Sequence, residues 1–375
     1  MKSNYKTIEE LVIRIDERNF SKETDVLLGV SIDKCFIPSV ANTIGTDLTK
    51  YKLIRKDDFA VSLMQVSRDS RIPIARQTEY EIAMMSPAYP IFRVKNTNEI
   101  LPEYLEMWFK RDEFDREAAF IAVGGVRGSM PWNEFAQMQV YVPEIEKQKQ
   151  IVEAYRIIVD RIELKRKIND NLVNTSDTVF FKMFLENKAD NTVSFTDVVQ
   201  LMGGGTPKTD DDSFWNGDVL FFTPKDVSNS PFCINTEKCL TMEGLNNCSS
   251  RLYPSFTTFV TCRGTVGNLV MAGVPMAMNQ SCYALQGKNG FPPLFVFAFT
   301  RYVITTMKKK ASGAVFSALV TRDFDMEKVF EPSLEDAIIF QNRVEPLFVQ
   351  ILSNTNEIQY LYELQNTLLA QLSSC

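Results

Sequence analysis

The sequence contains no histidine, and its seven cysteines include no Cys-x-x-Cys pair. Without histidine, the commonest general base and every Ser-His or Cys-His catalytic pair are excluded. Without closely spaced thiols, a structural zinc site of the usual kind is disfavoured. We therefore predict no bound metal and free cysteines, most of them in the hydrophobic core. Because the carboxylates are scattered along the chain, the sequence also argues against autonomous catalysis.

Long apolar runs and an excess of positive charge are also missing. The longest apolar run, near residues 291–300, is about half the length that crosses a membrane. The first residues lack the apolar stretch of a signal peptide, so we expect a cytoplasmic protein without membrane contact. The formal net charge of −6 argues against nucleic-acid binding through bulk charge but leaves room for a local basic groove.

The 375 residues are enough for two domains, and the sequence repeats one plan. Residues 1–143 and 191–332 each open with a hydroxyl residue three positions before an acidic one, at Thr7 and Ser194. This spacing is typical of a capping box at a helix start. Each block continues with short strand-like runs, a helix that starts at a proline, and a closing proline.

The positions that correspond between the two blocks keep a nearly constant offset. The matched pairs are Met84 and Met278, Pro102 and Pro293, Pro143 and Pro332, and Gln148 and Gln341. Their offsets lie between 189 and 194 residues. Such steady spacing indicates an internal duplication with two copies, each large enough for a core of its own.

Two stretches without glycine, residues 144–184 and 334–373, predict long helices because they are rich in strong helix formers. Their apolar residues recur with alternating spacings of four and three, which is the pattern of a coiled-coil seam. The central seam comprises Ile151, Tyr155, Ile158, Ile162, Lys165, Asn169 and Leu172. The terminal seam comprises Val344, Phe348, Ile351, Ile358, Tyr362 and Leu369.

Three residues disturb these seams. Lys165 and Asn169 make the central seam polar, which costs stability and fixes register. Pro346 predicts a kink or a restart of the terminal helix near Val344. Two interpretations remain open: the helices pack only on their own domains, or they pair with each other, which the repetition favours.

The glycine-rich loop at residues 202–209 reads Met-Gly-Gly-Gly-Thr-Pro-Lys-Thr. A phosphate-binding P-loop is excluded because its two required glycines would fall on Met202 and Pro207. One interpretation is a turn that precedes a hairpin. The other is a loop that approaches a DNA phosphate through backbone N–H groups and side chains. In that case the contacts come from Gly205, Thr206, Lys208 and Thr209.

Basic and amide side chains cluster near the predicted strands and turns. Arginine, asparagine and glutamine can read base edges, and lysine can contact phosphates, although ordinary surface charge is the alternative for any single residue. The candidates in the first block are Arg68, Arg71, Arg76 and Arg127. Those in the second block are Lys225, Arg263, Asn279, Gln280, Lys308 and Lys309.

Several motifs together resemble one known family. They are Gly-Gly-Thr-Pro at 204–207, Thr-Pro-Lys-Asp at 223–226, Cys-Arg-Gly-Thr-Val-Gly at 262–267, Asn-Gln at 279–280, Ala-Ser-Gly at 311–313 and Pro-Glu-Ile-Glu-Lys-Gln at 143–148. With the duplicated plan and the long helices, the chain resembles the specificity (S) subunit of type I restriction-modification systems. The first block has no glycine at the corresponding loop, residues 14–19, which indicates that it does not contact DNA there.

The resemblance implies an α+β fold, in which two similar target recognition domains are joined by two long helices that form an antiparallel coiled coil with pseudo-two-fold symmetry. It places the domains at residues 1–143 and 191–332, the central helix at 144–190 and the terminal helix at 333–375. Each domain would read one half of a bipartite site in double-stranded DNA.

The resemblance also implies partners. The helices would act as a spacer and would dock two methyltransferase subunits, with motor/nuclease subunits joining them. No cofactor is expected in this chain, because AdoMet, ATP and Mg²⁺ would belong to the partner subunits. Two other functions remain open on the sequence: a two-headed coiled-coil scaffold or decoy that binds only protein, and an enzyme with a non-standard site.

Overall fold

A computed structural model describes residues 4–39, 45–64, 66–124, 128–186, 191–310 and 318–372. The chain divides into two compact units. The N-terminal unit comprises Met1–Asp160 together with Leu361–Cys375, and the C-terminal unit comprises Arg161–Tyr360. Arg127 and the predicted motif at 311–313 lie outside the described residues, as does Ser373.

The helices are α1 (Ile8–Leu11), α2 (Val66–Asp69), α3 (Pro102–Phe109), α4 (Asp112–Ile121), α5 (Trp132–Gln137), α6 (Ile145–Phe180), α7 (Phe195–Val198), α8 (Met242–Asn246), α9 (Pro293–Lys310), α10 (Thr321–Met326) and α11 (Leu334–Gln371). The strands of the N-terminal unit are β1 (Tyr5–Thr7), β2 (Val12–Ile15), β3 (Leu27–Val30), β4 (Phe36–Pro38), β5 (Lys52–Arg55), β6 (Phe59–Val61), β7 (Ile74–Arg76), β8 (Ile82–Met85), β9 (Ile91–Val94) and β10 (Gln139–Tyr141). Those of the C-terminal unit are β11 (Thr192–Ser194), β12 (Val199–Gly203), β13 (Trp215–Phe222), β14 (Phe232–Cys233), β15 (Lys238–Leu240), β16 (Thr258–Thr261), β17 (Leu269–Ala272), β18 (Ala277–Met278), β19 (Cys282–Gly287) and β20 (Lys328–Phe330).

The two units repeat one arrangement of strands. The N-terminal unit has an antiparallel sheet in the order β2-β9-β6-β7, and the C-terminal unit has the order β12-β19-β16-β17, extended by β14. Each unit also has a parallel pair, β3 with β8 and β13 with β18, and the matched residues Met84 and Met278 lie in its second strand. The predicted α+β fold with two similar sheet-rich domains is therefore confirmed.

The predicted local signals are found where each unit begins. The backbone N–H of Thr7 donates to Glu10 Oε2 at 2.7 Å, and that of Ser194 donates to Asp197 Oδ2 at 2.9 Å. These side-chain acceptors satisfy N–H groups that a helix start leaves free. Helices α3 and α9 begin at the two predicted prolines, where the missing N–H costs nothing.

Each unit buries a core rich in phenylalanine. In the N-terminal unit, Phe59 and Phe92 stack at 5.3 Å between ring centroids, and Phe109 meets both edge-on. In the C-terminal unit, Phe180 and Phe184 pack at 5.1 Å and contact Phe295 and Phe340. Offset and edge-on contacts of this kind stabilise aromatic cores beyond their buried area.

The two long helices are continuous. Helix α6 runs for 36 residues and ends in a π-helical turn at Phe181–Leu185, and α11 runs for 38 residues. The predicted restart near Val344 is wrong, because α11 passes through Pro346 without a break. Pro346 lies on the exposed face between the buried Val344 and Phe348, so the core contacts of its neighbours hold the helix together.

Every predicted seam residue is buried or half-buried. In the N-terminal unit, the final turn of α11 brings Leu369 and Leu372 into a core that Ile151 and Tyr155 of α6 also contact. In the C-terminal unit, Val344, Phe348 and Ile351 of α11 are at most 1% exposed. The helices therefore complete the cores of both units and also contact each other within each unit.

The contacts between α6 and α11 in the C-terminal unit run antiparallel. Arg161 pairs with Glu357, Lys165 Nζ lies 2.9 Å from Asn354 Oδ1, and Arg343 contacts Met183. As the residue number rises on one helix, it falls on the other. The antiparallel pairing that the repetition favours is therefore found in this unit.

The polar seam residues meet partners on α11. Asn354 is 1% exposed, and its Nδ2 donates to Asn169 Oδ1 at 2.8 Å. Its Oδ1 accepts hydrogen bonds from Lys165 and from Gln350 Nε2. Lys165 also pairs with Glu357 at 2.8 Å. Hydrogen bonds from Lys165 and Arg161 lower the pKa of the Glu357 carboxyl. This polar layer is thus satisfied rather than left with unpaired buried groups.

A glutamine side chain attaches each long helix to its domain. Gln148 is fully buried, accepts a hydrogen bond from the backbone N–H of Leu101 at 2.9 Å, and donates to the carbonyls of Glu99 and Pro143, both at 2.8 Å. Its counterpart Gln341 accepts from the N–H of Leu294 at 3.0 Å. In both units the glutamine satisfies a free N–H at the start of the neighbouring helix.

We expect Gln148→Leu to destabilise the N-terminal unit by about 2–4 kcal/mol, because it removes three hydrogen bonds between a fully buried side chain and the backbone. Urea unfolding of the full chain, followed by fluorescence of its tryptophans, measures the change. Gln150→Leu is the matched control, since Gln150 is exposed on the same helix and its loss should change stability by less than about 0.5 kcal/mol. Equal stability of the two variants would contradict the role of Gln148.

Candidate nucleic-acid interface

A cleft of about 440 Å³ in the C-terminal unit gathers most of the residues predicted for its interface. The predicted residues that line it are Thr206, Thr209, Lys225, Arg263, Asn279 and Gln280. They come from four separate stretches of sequence: the glycine-rich loop, the turn after β13, the tip of the β16–β17 hairpin and the segment between β18 and β19. The fold thus brings together side chains that the sequence places up to 74 positions apart.

The glycine-rich loop lies against the end of β18. A Cβ atom on Gly204 would stand 2.2 Å from the carbonyl oxygen of Asn279, and one on Gly205 would stand 2.2 Å from Ser249 Oγ. The N–H of Gly205 donates to the carbonyl of Met278 at 3.2 Å. The glycines are therefore needed for close approach of two backbones. The contact places the Thr206 hydroxyl where it donates to Gln280 Oε1.

The turn after β13 presents Lys225. Thr223 and Asp226 close this turn, since the N–H of Thr223 donates to Asp226 Oδ2 at 2.7 Å and the Thr223 hydroxyl donates to the same oxygen at 2.8 Å. The side chain of Lys225 is 80% exposed, and its nearest carboxylate, Glu237, lies 4.0 Å away. So exposed a lysine keeps its ammonium available for an anion.

Arg263 occupies the tip of the β16–β17 hairpin. It is exposed and has no ion pair among the residues that the structure describes. Asn279 is half-buried beside it, and its Oδ1 accepts a hydrogen bond from the N–H of Ser281 at 3.0 Å. This hydrogen bond fixes the side-chain amide of Asn279 within the turn, so its amine group keeps one direction.

Two residues of the cleft were missed as site residues. Trp215 donates from Nε1 to the carbonyl of Lys208 at 3.0 Å, and Lys238 Nζ lies 5.4 Å from the Trp215 ring centroid. Lys238 reaches the cleft because β15 pairs with β13 in a register that sets it opposite Phe221. No local pattern marks Lys238, so only the strand pairing could have identified it.

Other candidates in this unit lie outside the cleft. Gly205 and Lys208 belong to the loop but do not line the cleft, and Lys208 contributes its carbonyl to Trp215. Lys308 donates to the carbonyl of Gly267 at 3.1 Å and lines a different cleft. Lys309 is exposed at the end of α9. The lysines at 308–309 therefore do not form one group with Arg263.

The arginines of the N-terminal unit are paired with acids. Arg68 lies 2.8 Å from Asp69 and Arg71 lies 3.9 Å from Asp33, and both arginines stay more than half exposed. Arg76 is only 13% exposed and contacts Asp57, Glu103 and Glu106. These ion pairs neutralise the charge of Arg76 inside the domain and disfavour a contact between Arg76 and DNA.

The described residues include buried cysteine thiols that are packed in the hydrophobic core. Burial raises the pKa of Cys233 and of Cys262 to about 12, so both thiols stay protonated at neutral pH and suit packing. Among the residues that the structure describes, no three or more carboxylates and thiols come together as a metal site. Within the same ranges, no helix is long and apolar enough to cross a bilayer.

Comparison with known proteins finds similarity to one family. Residues 188–364 match the Type I restriction modification DNA specificity domain. The chain is 29% identical over 182 residues to the type I restriction enzyme HindI specificity subunit of Haemophilus influenzae, and 26% identical over 144 residues to the MjaIX specificity subunit of Methanocaldococcus jannaschii. These matches cover 48% and 37% of this chain and 40% and 33% of the relatives' own length.

A solved structure shares the fold. It is the S subunit of a type I restriction-modification system from M. genitalium, with a TM-score of 0.56, 14% identity, and coverage of 98% of this chain and 95% of that one. The resemblance that the glycine-rich loop and the long helices indicate is confirmed by these matches.

We expect Gly204→Ala to distort the cleft, because the added methyl group meets a backbone oxygen that cannot move without shifting β18. A loss of about 1–3 kcal/mol of stability should accompany the distortion. Gly203→Ala is the control, since a Cβ at Gly203 meets nothing within 4 Å. Thermal unfolding of the two variants tests the contact, and equal melting temperatures would show that the loop does not need the close approach.

Proposed function

Residues 188–364 belong to the type I restriction-modification DNA specificity domain family, and on this premise we propose that the chain is the DNA-recognising specificity subunit of a type I restriction-modification complex. The observation that carries the proposal is the cleft of the C-terminal unit, where Arg263, Lys225 and Asn279 converge beside the glycine-rich loop. Arginine and amide groups read base edges, and exposed lysines contact phosphates. The chain itself is proposed to be non-catalytic and to act in the cytoplasm.

Two similar domains support a bipartite target. We assign the recognition domains to residues 1–143 and 191–332, each of which reads one half-site in double-stranded DNA. The sheets have the same order, yet the exposed residues differ: Arg68 and Arg71 in the first domain, Arg263 and Asn279 in the second. One scaffold with different side chains is what reading two different half-sites requires.

The long helices suit a spacer. Helix α6 has 36 residues, or about 54 Å at ~1.5 Å per residue. Half-sites on one face of DNA lie one helical turn of about 34 Å apart or more. A helix of this length therefore matches the distance that it is proposed to span.

The exposed side of α11 suits protein docking. Val349 and Tyr360 are 54% and 69% exposed, and together with Leu352 they line a shallow groove within the C-terminal unit. Exposed apolar side chains on a helix mark a surface for another protein. We assign this surface to the methyltransferase subunits, two of which would bind, with motor/nuclease subunits joining the complex. AdoMet, ATP and Mg²⁺ would act in those partners.

Methylation mapping tests the proposed function. The chain is co-expressed with the methyltransferase subunit encoded beside it, and host DNA is sequenced by a long-read method that detects methyladenine. Methylation at an asymmetric bipartite sequence is the expected result. Assembly of the complex without any sequence-specific methylation would favour the protein-binding scaffold.

We expect Lys225→Ala to weaken DNA binding by the assembled complex similarly for all sequences and to lower the slope of log affinity against log salt by about 1, because one phosphate contact is lost. Arg322→Ala is the control, since Arg322 is exposed in the same unit but does not line the cleft. Fluorescence anisotropy at several salt concentrations measures both variants. An equal salt slope for the wild-type protein and Lys225→Ala would contradict the phosphate contact.

Insertion of one heptad into each long helix should lengthen the gap between half-sites by about three base pairs and leave both half-sites unchanged. Seven residues add about 10.5 Å, and the rise of DNA is ~3.4 Å per base pair. The inserted heptads keep the apolar spacing of the seams. Methylation mapping reads out the spacing, and an unchanged gap with active methylation would count against the spacer.

A further inference from the structure

In the cleft of the C-terminal unit, Arg263, Asn279 and Gln280 present hydrogen-bond donors to base edges. We propose that it reads a guanine through the N7 and O6 acceptors in the major groove. The inference rests on the proposed function, because it names the base that the proposed recognition domain selects. Guanine is the base that presents two adjacent acceptors in that groove.

Asn279 presents its amine to the cleft. Its Oδ1 accepts the hydrogen bond from the N–H of Ser281 at 3.0 Å, and a backbone N–H can only donate. The oxygen is therefore committed to the turn, and the amine is the group left for the cleft. In the part of the chain that the structure describes, this amine has no hydrogen-bond partner. An asparagine that reads adenine uses its oxygen and its amine together. The Asn279 oxygen is already held by Ser281, which favours the amine as the group that meets a base.

Gln280 and Arg263 extend the same pattern. The hydroxyl of Thr206 donates to Gln280 Oε1, so the amine of Gln280 is again the free end. Arg263 has donors only, is exposed at its hairpin tip, and lines the same cleft. Its planar fork fits the two acceptors of guanine in a bidentate contact. Three neighbouring side chains thus present donors toward one space.

The acceptors near this space are the Glu237 carboxylate and side-chain hydroxyls. The Glu237 carboxylate lies 4.0 Å from Lys225, which can draw it away from a base. The Thr223 hydroxyl is used within its own turn, since it donates to Asp226 and accepts from the N–H of Lys225 at 3.3 Å. Cytosine and adenine expose an amine in the major groove, and Arg263 and the amines of Asn279 and Gln280 offer it no acceptor. The donor-rich surface therefore selects against both.

The test uses the full chain assembled with its methyltransferase subunits. The half-site that belongs to the C-terminal unit is first identified as the one that changes when residues 191–332 are exchanged for the same domain of another specificity subunit. The probe is a duplex that carries the mapped site, with 7-deaza-2′-deoxyguanosine at each guanine of that half-site in turn. This analogue removes the N7 acceptor and keeps base pairing and phosphates, so it separates a base contact from a phosphate contact.

We expect one 7-deazaguanine to weaken binding about ten- to a hundredfold for the wild-type protein. For Arg263→Ala the same analogue should cost less than about twofold, because the side chain that meets N7 is gone. Comparison of the four affinities cancels any general loss of positive charge. Absence of guanine from this half-site, tolerance of every 7-deaza analogue, or an equal penalty in both proteins would each overturn the proposal.

The variant Asn279→Asp provides a second test, and we expect it to fold like the wild-type protein. Aspartate retains the oxygen that accepts from Ser281 and replaces the amine with an acceptor of the same size. Methylation mapping should then show the preference at one position move from guanine toward cytosine, whose amine the new oxygen accepts. Asn229→Asp adds the same charge at an exposed residue outside this cleft and should leave the preference unchanged. An unchanged preference in Asn279→Asp contradicts the inference.

The guanine contact and the proposed function are overturned by different results. Sequence-specific methylation that is insensitive to the guanine analogues overturns the guanine reading and leaves the specificity subunit in place. Complete absence of sequence-specific binding and methylation in an assembled complex overturns both.

Discussion

The N-terminal unit depends on apolar residues from the other end of the chain. Leu369 and Leu372, in the last turns of α11, are buried with core residues such as Phe135 and Val140. A leucine fully removed from water contributes about 1.5–3 kcal/mol, so these two are a large part of a domain's margin of stability. The unit that begins the sequence is therefore completed only when the terminal helix is in place, and the helix must also keep its register for the leucines to reach their positions.

Polar contacts between α6 and α11 in the C-terminal unit fix the register of the two helices. Lys165 and Asn169 occupy seam positions where leucine would be more stable, and the buried Asn354 of α11 meets both. A shift of one heptad would leave these polar groups without partners. The cost of an unpaired buried amide is about 1–3 kcal/mol, which penalises every wrong register. Apolar seams bind the helices, and this layer selects one alignment among several that the apolar spacing allows.

Periodic and local signals carried most of what the sequence could predict. Capping boxes at Thr7 and Ser194, the helix-starting prolines and the heptad spacing depend on neighbours in sequence, so they can be recognised without the fold. By contrast, the ion pairs of Arg76 and the position of Lys238 in the cleft depend on strands and helices that are distant in sequence. Arg76 carries the same local signal as Arg68, and only the packing of α3 beside β7 brings Glu103 and Glu106 to it. For Pro346, buried neighbours on α11 outweighed the local cost of a missing N–H.

The acidic composition and the hydrogen-bond donors of the cleft indicate that base recognition and electrostatic attraction to DNA come from different surfaces. The chain has 41 basic and 47 acidic residues, so its overall charge cannot draw it to DNA. Salt screens distant charges over about 8–10 Å, however, so contacts inside the cleft are governed by Arg263, Lys225 and Lys238 rather than by the acidic surface beyond. Phosphate contacts supply affinity, whereas base contacts supply sequence choice. A chain with few phosphate contacts and a selective cleft would discriminate well but bind weakly by itself. The proposed partner subunits would then have to supply the phosphate contacts that hold the complex on DNA.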